Sequence, residues 1–360
     1  MECMSAGKLF SPATLAGGLT LSNHIVMSPM TRNRAIGNIP NDLMVEYYVQ
    51  RATVGLIITE GTAPVPDGSG YPRIPGIWSA EQIEGWKNLT NAVHAKGGHI
   101  FLQIMHTGRI GHPDNLPQGG RMIGASAIAA AGQIYTDSQG MQDHPAPEAV
   151  KTEDIPALIN GYVQAAKNAI EAGFDGVELH GANGYLIEQF MAPNSNQRTD
   201  QYGQDRNLFL LETTAAVAAA IGKEKTAVRL SPYGVYNDIQ PYSEEQAIAA
   251  AAGLQQIGIA YLHLVNHSSM GAPAPTESVV KGIRAAFTST LILSGGYDAA
   301  RAEADLQSGM ADLIAFGRPV LANPDFVQRI QSGAPLNPPD FSTFYTPGEK
   351  GYTDYPFYAG

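Results

Sequence analysis

The feature that most narrows the possible folds is an eightfold alternation of short apolar runs with longer helical patterns. The runs are His24–Met27, Leu56–Thr59, His99–Ile104, Gly176–Leu179, Thr226–Leu230, Tyr261–Val265, Leu291–Ser294 and Leu313–Phe316. A short, nearly continuous apolar run bounded by turn residues is how a strand buried on both faces reads. Strands that alternate with helices call for a parallel sheet with helical crossovers, and eight such units close into a (β/α)8 TIM barrel. No Pro/Ser-rich linker or charge run divides residues 1–360, so the chain reads as a single α/β domain.

The segments between the runs carry helix punctuation. Ser79 with Gln82, and Ser243 with Gln246, have the spacing of capping boxes. Asn323 before Pro324 reads as an N-cap followed by proline in the first turn, and Gly333 as a left-handed stop. From Thr152 to Gly173, the positions Ile155, Leu158, Ile159, Tyr162, Val163, Ala166 and Ile170 form one apolar stripe at helical spacing. Gly173, Gly258 and Gly309 open three similar helix-to-strand joints, as expected of repeated βα units. Two segments lie outside the repeat. Ala13–Leu21, centred on Gly17-Gly18, reads as a hairpin closing the barrel floor. Residues 107–152 form a loop-rich insertion after the third strand, well beyond the roughly 12–15 residues of an ordinary connection, and are expected to cap the barrel mouth.

Composition excludes several classes. With 22 Lys+Arg against 33 Asp+Glu the net charge is −11, which leaves no positive field to collect nucleic acid or an anionic membrane surface. Cys3 is the only cysteine, so an intramolecular disulfide, a Cys-ligated zinc and an iron–sulfur cluster are excluded by counting, and a reducing cytoplasm fits. Met1–Pro12 lacks the basic and apolar regions of a leader, and no apolar run is long enough to span a bilayer. The expectation is a soluble, unprocessed cytoplasmic chain, monomeric or weakly homo-oligomeric.

In a barrel of this kind the chemistry sits at the C-terminal ends of the strands. The residues there are Pro29, Met30 and Thr31 after the first run, Glu60 and Gly61 after the second, and Gln103 within the third. His180 and Asn183 follow the fourth, Arg229 comes late in the fifth and His267 follows the sixth. Side chains two apart on a strand share a face, so His99, Phe101, Gln103 and Met105 point together, as do Glu178 and His180. Glu178 is then an interior carboxylate in need of donors, with Arg229 a candidate partner. Gly295-Gly296, next to Ser294, and Gly317-Arg318 follow runs seven and eight, where barrels build phosphate sites from backbone N–H groups. His263 and His267 share a face but have no evident co-ligands, so packing or a backbone hydrogen bond is expected and no metal is assigned. There is no G-x-G-x-x-G after a strand, P-loop, H-E-x-x-H or G-x-S-x-G motif. The residues alone leave open a flavin-free barrel lyase or isomerase using His180 as base, and a non-enzymatic phosphate-ligand binding protein.

A longer pattern goes further. His180-Gly-Ala-Asn183-Gly-Tyr185-Leu, then Gln189-Phe190 and Asn196-Gln197-Arg198-Thr199-Asp200-Gln201-Tyr202-Gly203, resembles the signature of the old yellow enzyme family of FMN-dependent ene-reductases. The likeness extends through Pro29-Met30-Thr31-Arg32, Gln103 with His106-Thr107-Gly108-Arg109, Arg229-Leu-Ser-Pro232, Phe316-Gly-Arg-Pro319 and Gly351-Tyr352-Thr353-Asp354-Tyr355-Pro356. Thr31 and the C-terminal tyrosines resemble the bacterial N-ethylmaleimide and pentaerythritol tetranitrate reductases more than the cysteine-bearing thermophilic branch. The resemblance implies non-covalent FMN, with NAD(P)H as a transient hydride donor that needs no Rossmann domain. It implies that Pro29, Met30, Thr31, Gly61, Gln103 and Arg229 line the flavin ring, and that Ser294, Gly295, Gly296, Gly317 and Arg318 hold its phosphate. His180 and Asn183 correspond to paired donors for a substrate carbonyl or nitro oxygen, Tyr185 to the proton donor, and Thr31 to a contact near flavin O4 and N5. Met105 stands where many relatives have tryptophan, and Tyr345 is expected at the pocket rim. The implied reaction is reduction of the C=C bond of small electron-poor alkenes, by hydride from flavin N5 and a proton from Tyr185.

Overall fold

The computed structural model describes residues 7–359, and Cys3, with the start of the N-terminal segment, lies outside them. All eight apolar runs are strands: β1 Ile25–Met27, β2 Leu56–Ile58, β3 Ile100–Ile104, β4 Gly176–Gly181, β5 Thr226–Leu230, β6 Tyr261–Val265, β7 Thr290–Ser294 and β8 Leu313–Phe316. Each pairs in parallel with its neighbour in the chain, and β8 pairs with β1 to close the barrel. The register sets Gln103 beside Glu178, His180 beside Arg229, and Arg229 beside His263, so the upper end of the barrel carries a polar layer.

The floor is apolar. Ala13–Thr14 and Thr20–Leu21 pair antiparallel, making the hairpin expected from Gly17-Gly18. Its Leu15 and Leu21 plug the barrel against Val26, Leu56, Phe101, Tyr261 and Leu313. Burying each such leucine contributes about 1.5–3 kcal/mol. His99, Phe101, Gln103 and Met105 do share one face. His99 Nε2 meets Thr20 O at the floor, Phe101 packs in the barrel interior, and Gln103 and Met105 reach the cavity at the mouth.

The outer helices lay apolar stripes on the sheet. Ile155–Glu171 is helical, with Pro156 in its first turn and Gly173 beyond its end at φ +89°. Gly258 and Gly309 adopt the same left-handed conformation, a cost glycine alone escapes. Ser79 and Gln82 form a full capping box. Ser243 and Gln246 form only half of one: Ser243 Oγ accepts from Gln246 N–H, but the Gln246 amide donates to Met191 O and Asn207 Oδ1. Asn323 is not an N-cap. It ends the short helix Arg318–Ala322, its amide donating to Pro319 O and Asn337 O while its Oδ1 accepts from Asn337 N–H. The following helix, Phe326–Ser332, begins after Asp325 and stops at left-handed Gly333.

Residues 107–152 are more ordered than their composition suggests. Gln133–Thr136 and Gly140–Asp143 form an antiparallel hairpin, and Ile123–Gly124 pairs with Glu148–Ala149. The hairpin stands at the barrel mouth, where Ile134, Tyr135 and Met141 contribute to the cavity wall. Arg73 ties it down, pairing with Asp137 while donating to Asn33 O and Tyr345 O. No helix among the described residues is long and apolar enough to cross a membrane.

Candidate active site

A cavity of about 1170 Å³ opens at the C-terminal end of the barrel. Seven of the eight strands or the residues just after them line it, through Ser28–Asn33, Gln103, His180, Arg229, Val265–His267, Ser294–Tyr297 and Ala315–Pro319. The end of β2 turns away. Gly61, expected on the flavin wall, is absent from the lining and instead backs Met105, whose Sδ would sit 2.4 Å from a Cβ added there. Glu60 is wholly buried among Tyr48, whose hydroxyl is 3.3 Å from Oε1, and the Arg32 N–H, 3.4 Å from Oε2.

Burial pushes the Glu60 carboxyl up to about 7, against the pull of the Arg32 N–H, the Arg32 charge and the Tyr48 hydroxyl. Because the folded chain then holds a proton that the unfolded chain releases near 4.5, stability falls as pH rises through this window, by about 3 kcal/mol from this group. Glu60→Gln is expected to flatten the urea-unfolding free energy between about pH 4.5 and 7. An unchanged slope in the variant would assign the effect to another group.

The polar layer at the upper end of the barrel is built around Glu178, which is wholly buried. Sequence reasoning offered Arg229 as its partner, but no ion pair or hydrogen bond joins the two among the described residues. Gln103 donates its amide to Oε1 at 2.8 Å, and His263 Nδ1 lies 2.9 Å from Oε2. Burial acts to raise the Glu178 pKa, but His263, the Arg229 charge and the Gln103 amide outweigh it and hold the carboxyl below its ordinary value. His263 is therefore neither a packing residue nor bonded to backbone, since its Nε2 meets Ser294 Oγ at 3.1 Å.

This arrangement frees Arg229. It is buried, its Nε has no partner, and it makes no hydrogen bond among the described residues while facing the cavity. His180 Nδ1, Asn183 Oδ1 and His267 Nδ1 are likewise buried without partners. Unpaired polar groups in such number are costly unless a ligand satisfies them. Burial first, and then the charges of Arg229, His263 and His267, lower the His180 pKa, so its ring is neutral at ordinary pH. Burial likewise brings His267 down to about 4.

Tyr185 completes the centre. Its ring meets His180 edge-on at 4.9 Å, and its hydroxyl lies 3.3 Å from that of Tyr71. Tyr71 and Asn237 also line the cavity, and sequence reasoning missed both because they come from connections without a readable period. Met105, Thr31, Pro29 and Met30 line the wall, and Tyr345 is 60% exposed at its edge.

The far end of the cavity suits an anion. Gly295 and Gly296 have φ of +116° and +66°, and a Cβ on Gly295 would lie 1.9 Å from Asn266 O. Gly317 precedes the short helix Arg318–Ala322, and the Arg318 guanidinium sits 5.2 Å from the Phe341 ring with no carboxylate partner among the described residues. Gly295→Ala is expected to lower the flavin-to-protein ratio after gel filtration at least threefold, because the added methyl must displace the Asn266 carbonyl. A wild-type ratio would mean the bend bears no phosphate.

Among the described residues no group of three or more His, Cys, Asp or Glu side chains is placed to hold a metal ion. A cavity of this size, lined by a free guanidinium, two side chains with unpartnered buried polar atoms and a glycine-rich bend, fits a flavin mononucleotide in volume and polarity. The family model for NADH:flavin oxidoreductases and NADH oxidases matches residues 8–337. The chain belongs to this family. An FMN-dependent alkene reductase of Leishmania infantum, described as probable, is 42% identical over 353 residues, covering 95% of this chain and 96% of that protein. The 12-oxophytodienoate reductase 7 of Oryza sativa subsp. japonica is 40% identical, covering 97% and 94%. Among solved structures, morphinone reductase superposes with a TM-score of 0.94 at 41% identity over 99% of this chain and 98% of that one. The old yellow enzyme homologue of Zymomonas mobilis gives 0.93 at 40%, over 97% and 99%. Membership makes the chain an FMN-dependent, NAD(P)H-dependent ene-reductase on a TIM barrel.

Proposed function

We propose that this ene-reductase acts on activated alkenes, that is α,β-unsaturated carbonyl compounds and nitroalkenes, holding the substrate oxygen with His180 and Asn183 and protonating the α-carbon from Tyr185. The observation that carries this reading is the placement of two unpartnered buried side chains, His180 and Asn183, beside a buried tyrosine hydroxyl on one wall of the cavity. FMN, when bound, would supply the hydride chemistry that links NAD(P)H to the alkene. Ser294, Gly295, Gly296, Gly317 and Arg318 would hold its phosphate, and Pro29, Met30 and Thr31 its ring. Gln103 and Arg229 would meet its pyrimidine edge, where a fixed guanidinium favours negative charge.

The work of the protein is then electrostatic and geometric. Addition at the β-carbon moves negative charge onto the carbonyl or nitro oxygen, and two preorganised N–H donors count most where that charge develops. The neutral imidazole of His180 and the amide of Asn183 supply one donor each. Burial raises the Tyr185 pKa, with the Tyr71 hydroxyl opposing, so the phenol stays protonated and ready to donate. Met105 shapes the substrate wall and Tyr345 its rim, while the hairpin of residues 133–143 caps the mouth.

Stopped-flow measurement of the two half-reactions tests the reading. Reoxidation of the reduced enzyme is expected to be fast with cyclic enones, maleimides and nitroalkenes and negligible with unactivated alkenes. Equal rates with activated and unactivated alkenes would remove any role for a polarised oxygen.

A further inference from the structure

Asn183 and Gly184 follow β4 with φ of +59° and +79°, a left-handed pair of which only the second is glycine. Every backbone polar group of the pair is taken by a side chain. Asn183 N–H donates to Ser231 Oγ at 2.9 Å, and Asn183 O accepts from the Asn237 amide at 2.7 Å. Gly184 N–H donates to Glu188 Oε2 at 2.7 Å, and Gly184 O accepts from the Gln189 amide at 2.8 Å. Ser231 also donates to Glu188 Oε1 at 2.7 Å, so one carboxyl group joins both N–H groups of the pair, directly at Gly184 and through the serine at Asn183. Glu188 and Ser231 are buried and neither lines the cavity.

We infer that Glu188 and Ser231 are positioning residues for the reaction: they lock the left-handed turn that aims the Asn183 carboxamide at the substrate oxygen. This inference rests on the substrate-binding role proposed for Asn183. Asparagine enters the left-handed region more readily than other non-glycine residues, so the conformation of Asn183 is fixed by the hydrogen bonds around it and not by strain. Here the backbone bonds are fully spent on the clamp, and the carboxamide is the one polar group of Asn183 left without a partner among the described residues. Loss of either clamp residue lets the backbone relax and turns the amide away, without removing any atom that touches a ligand.

The test is a double-mutant cycle read by equilibrium binding of 4-hydroxybenzaldehyde, followed through the change it makes in the flavin spectrum, with flavin content and Tm recorded for each variant. Ser231→Ala is expected to weaken binding about tenfold when Asn183 is present, and less than about twofold in an Asn183→Ala background, because a residue that acts through another has no further effect once that residue is gone. Glu188→Leu should behave in the same way. Glu188→Gln should restore affinity to within about threefold of wild type, since its carbonyl accepts from Gly184 and its amide reaches Ser231. Equal losses in both backgrounds, no loss in either, or a glutamine variant as weak as the leucine one would overturn the inference. If Asn183→Ala alone binds the phenol as tightly as wild type, the role proposed for Asn183 falls, and this inference falls with it.

Discussion

Replacing His180 and Asn183 together with alanine is expected to weaken phenol binding by at least about a hundredfold, and to lower enone turnover by as much or more, while FMN stays bound at wild-type stoichiometry. Bound as its phenolate, the phenol carries on its oxygen the charge that develops on the substrate oxygen, and two hydrogen bonds to that anion at about 1.5–3 kcal/mol each set the scale. Neither side chain has a protein partner for its orphaned atom, so the substitutions break no internal bond at those atoms, and the fold loses only about 1–2 kcal/mol from placing alanine at the left-handed position 183. Turnover is exposed to a second loss, because the His180 ring packs edge-on against Tyr185 and its removal frees the proton donor to swing. Loss of flavin with retained affinity for the phenol would show that the two side chains face the cofactor and not the substrate. Titration of the purified variant with a phenol, alongside its flavin-to-protein ratio, separates the outcomes.

The parts of the molecule that could be read from the sequence are those whose signal is local. Strand positions emerged almost to the residue because a strand buried on both faces must be apolar throughout, and Thr226–Leu230, Tyr261–Val265 and Leu313–Phe316 have the expected bounds. Residues just beyond those runs reach the cavity because parallel closure leaves them nowhere else to go, which is why His180, Arg229 and Gly295 were found by position alone. Gly61 follows the same rule of position but does not itself line the cavity, where the neighbouring Met105 does. What stayed hidden depends on contacts across loops. Nothing in the spacing of Glu178, Arg229 and His263 says which of them pair; the register of β3 to β6 decides it. Asn323 followed by proline satisfies every local rule for an N-cap, and the chain instead spends that side chain on Asn337, fourteen residues later. Tyr71, Asn237 and the Glu188–Ser231 link belong to the same class.

Tyr185→Phe is expected to slow alkene reduction by about 10²–10⁴-fold if proton transfer to the α-carbon limits that half-reaction, the range typical of a lost general acid. The reduction of the enzyme by NAD(P)H should stay within about threefold of wild type, because that step requires no proton at the position Tyr185 reaches. The substitution removes one oxygen and one hydrogen bond, to Tyr71, and leaves the ring packed on His180, so affinity for a phenol should change little. The structure also marks the route by which a weaker effect could arise. Tyr71 lies next to Tyr185, half-buried, and the two rings meet edge-on at 6.2 Å. Where Tyr71 or an admitted water can donate in its place, Tyr185→Phe alone will fall near the lower end of the range and Tyr71→Phe in the same chain will carry it further. Solvent deuterium isotope effects on reoxidation check the premise: the effect is expected in wild type and should persist in the slower single variant, where Tyr71 or water must deliver the proton, and its absence from wild type would mean that proton transfer does not limit the step. Equal slowing of both half-reactions would instead mean that the hydroxyl shapes the pocket and gives no proton.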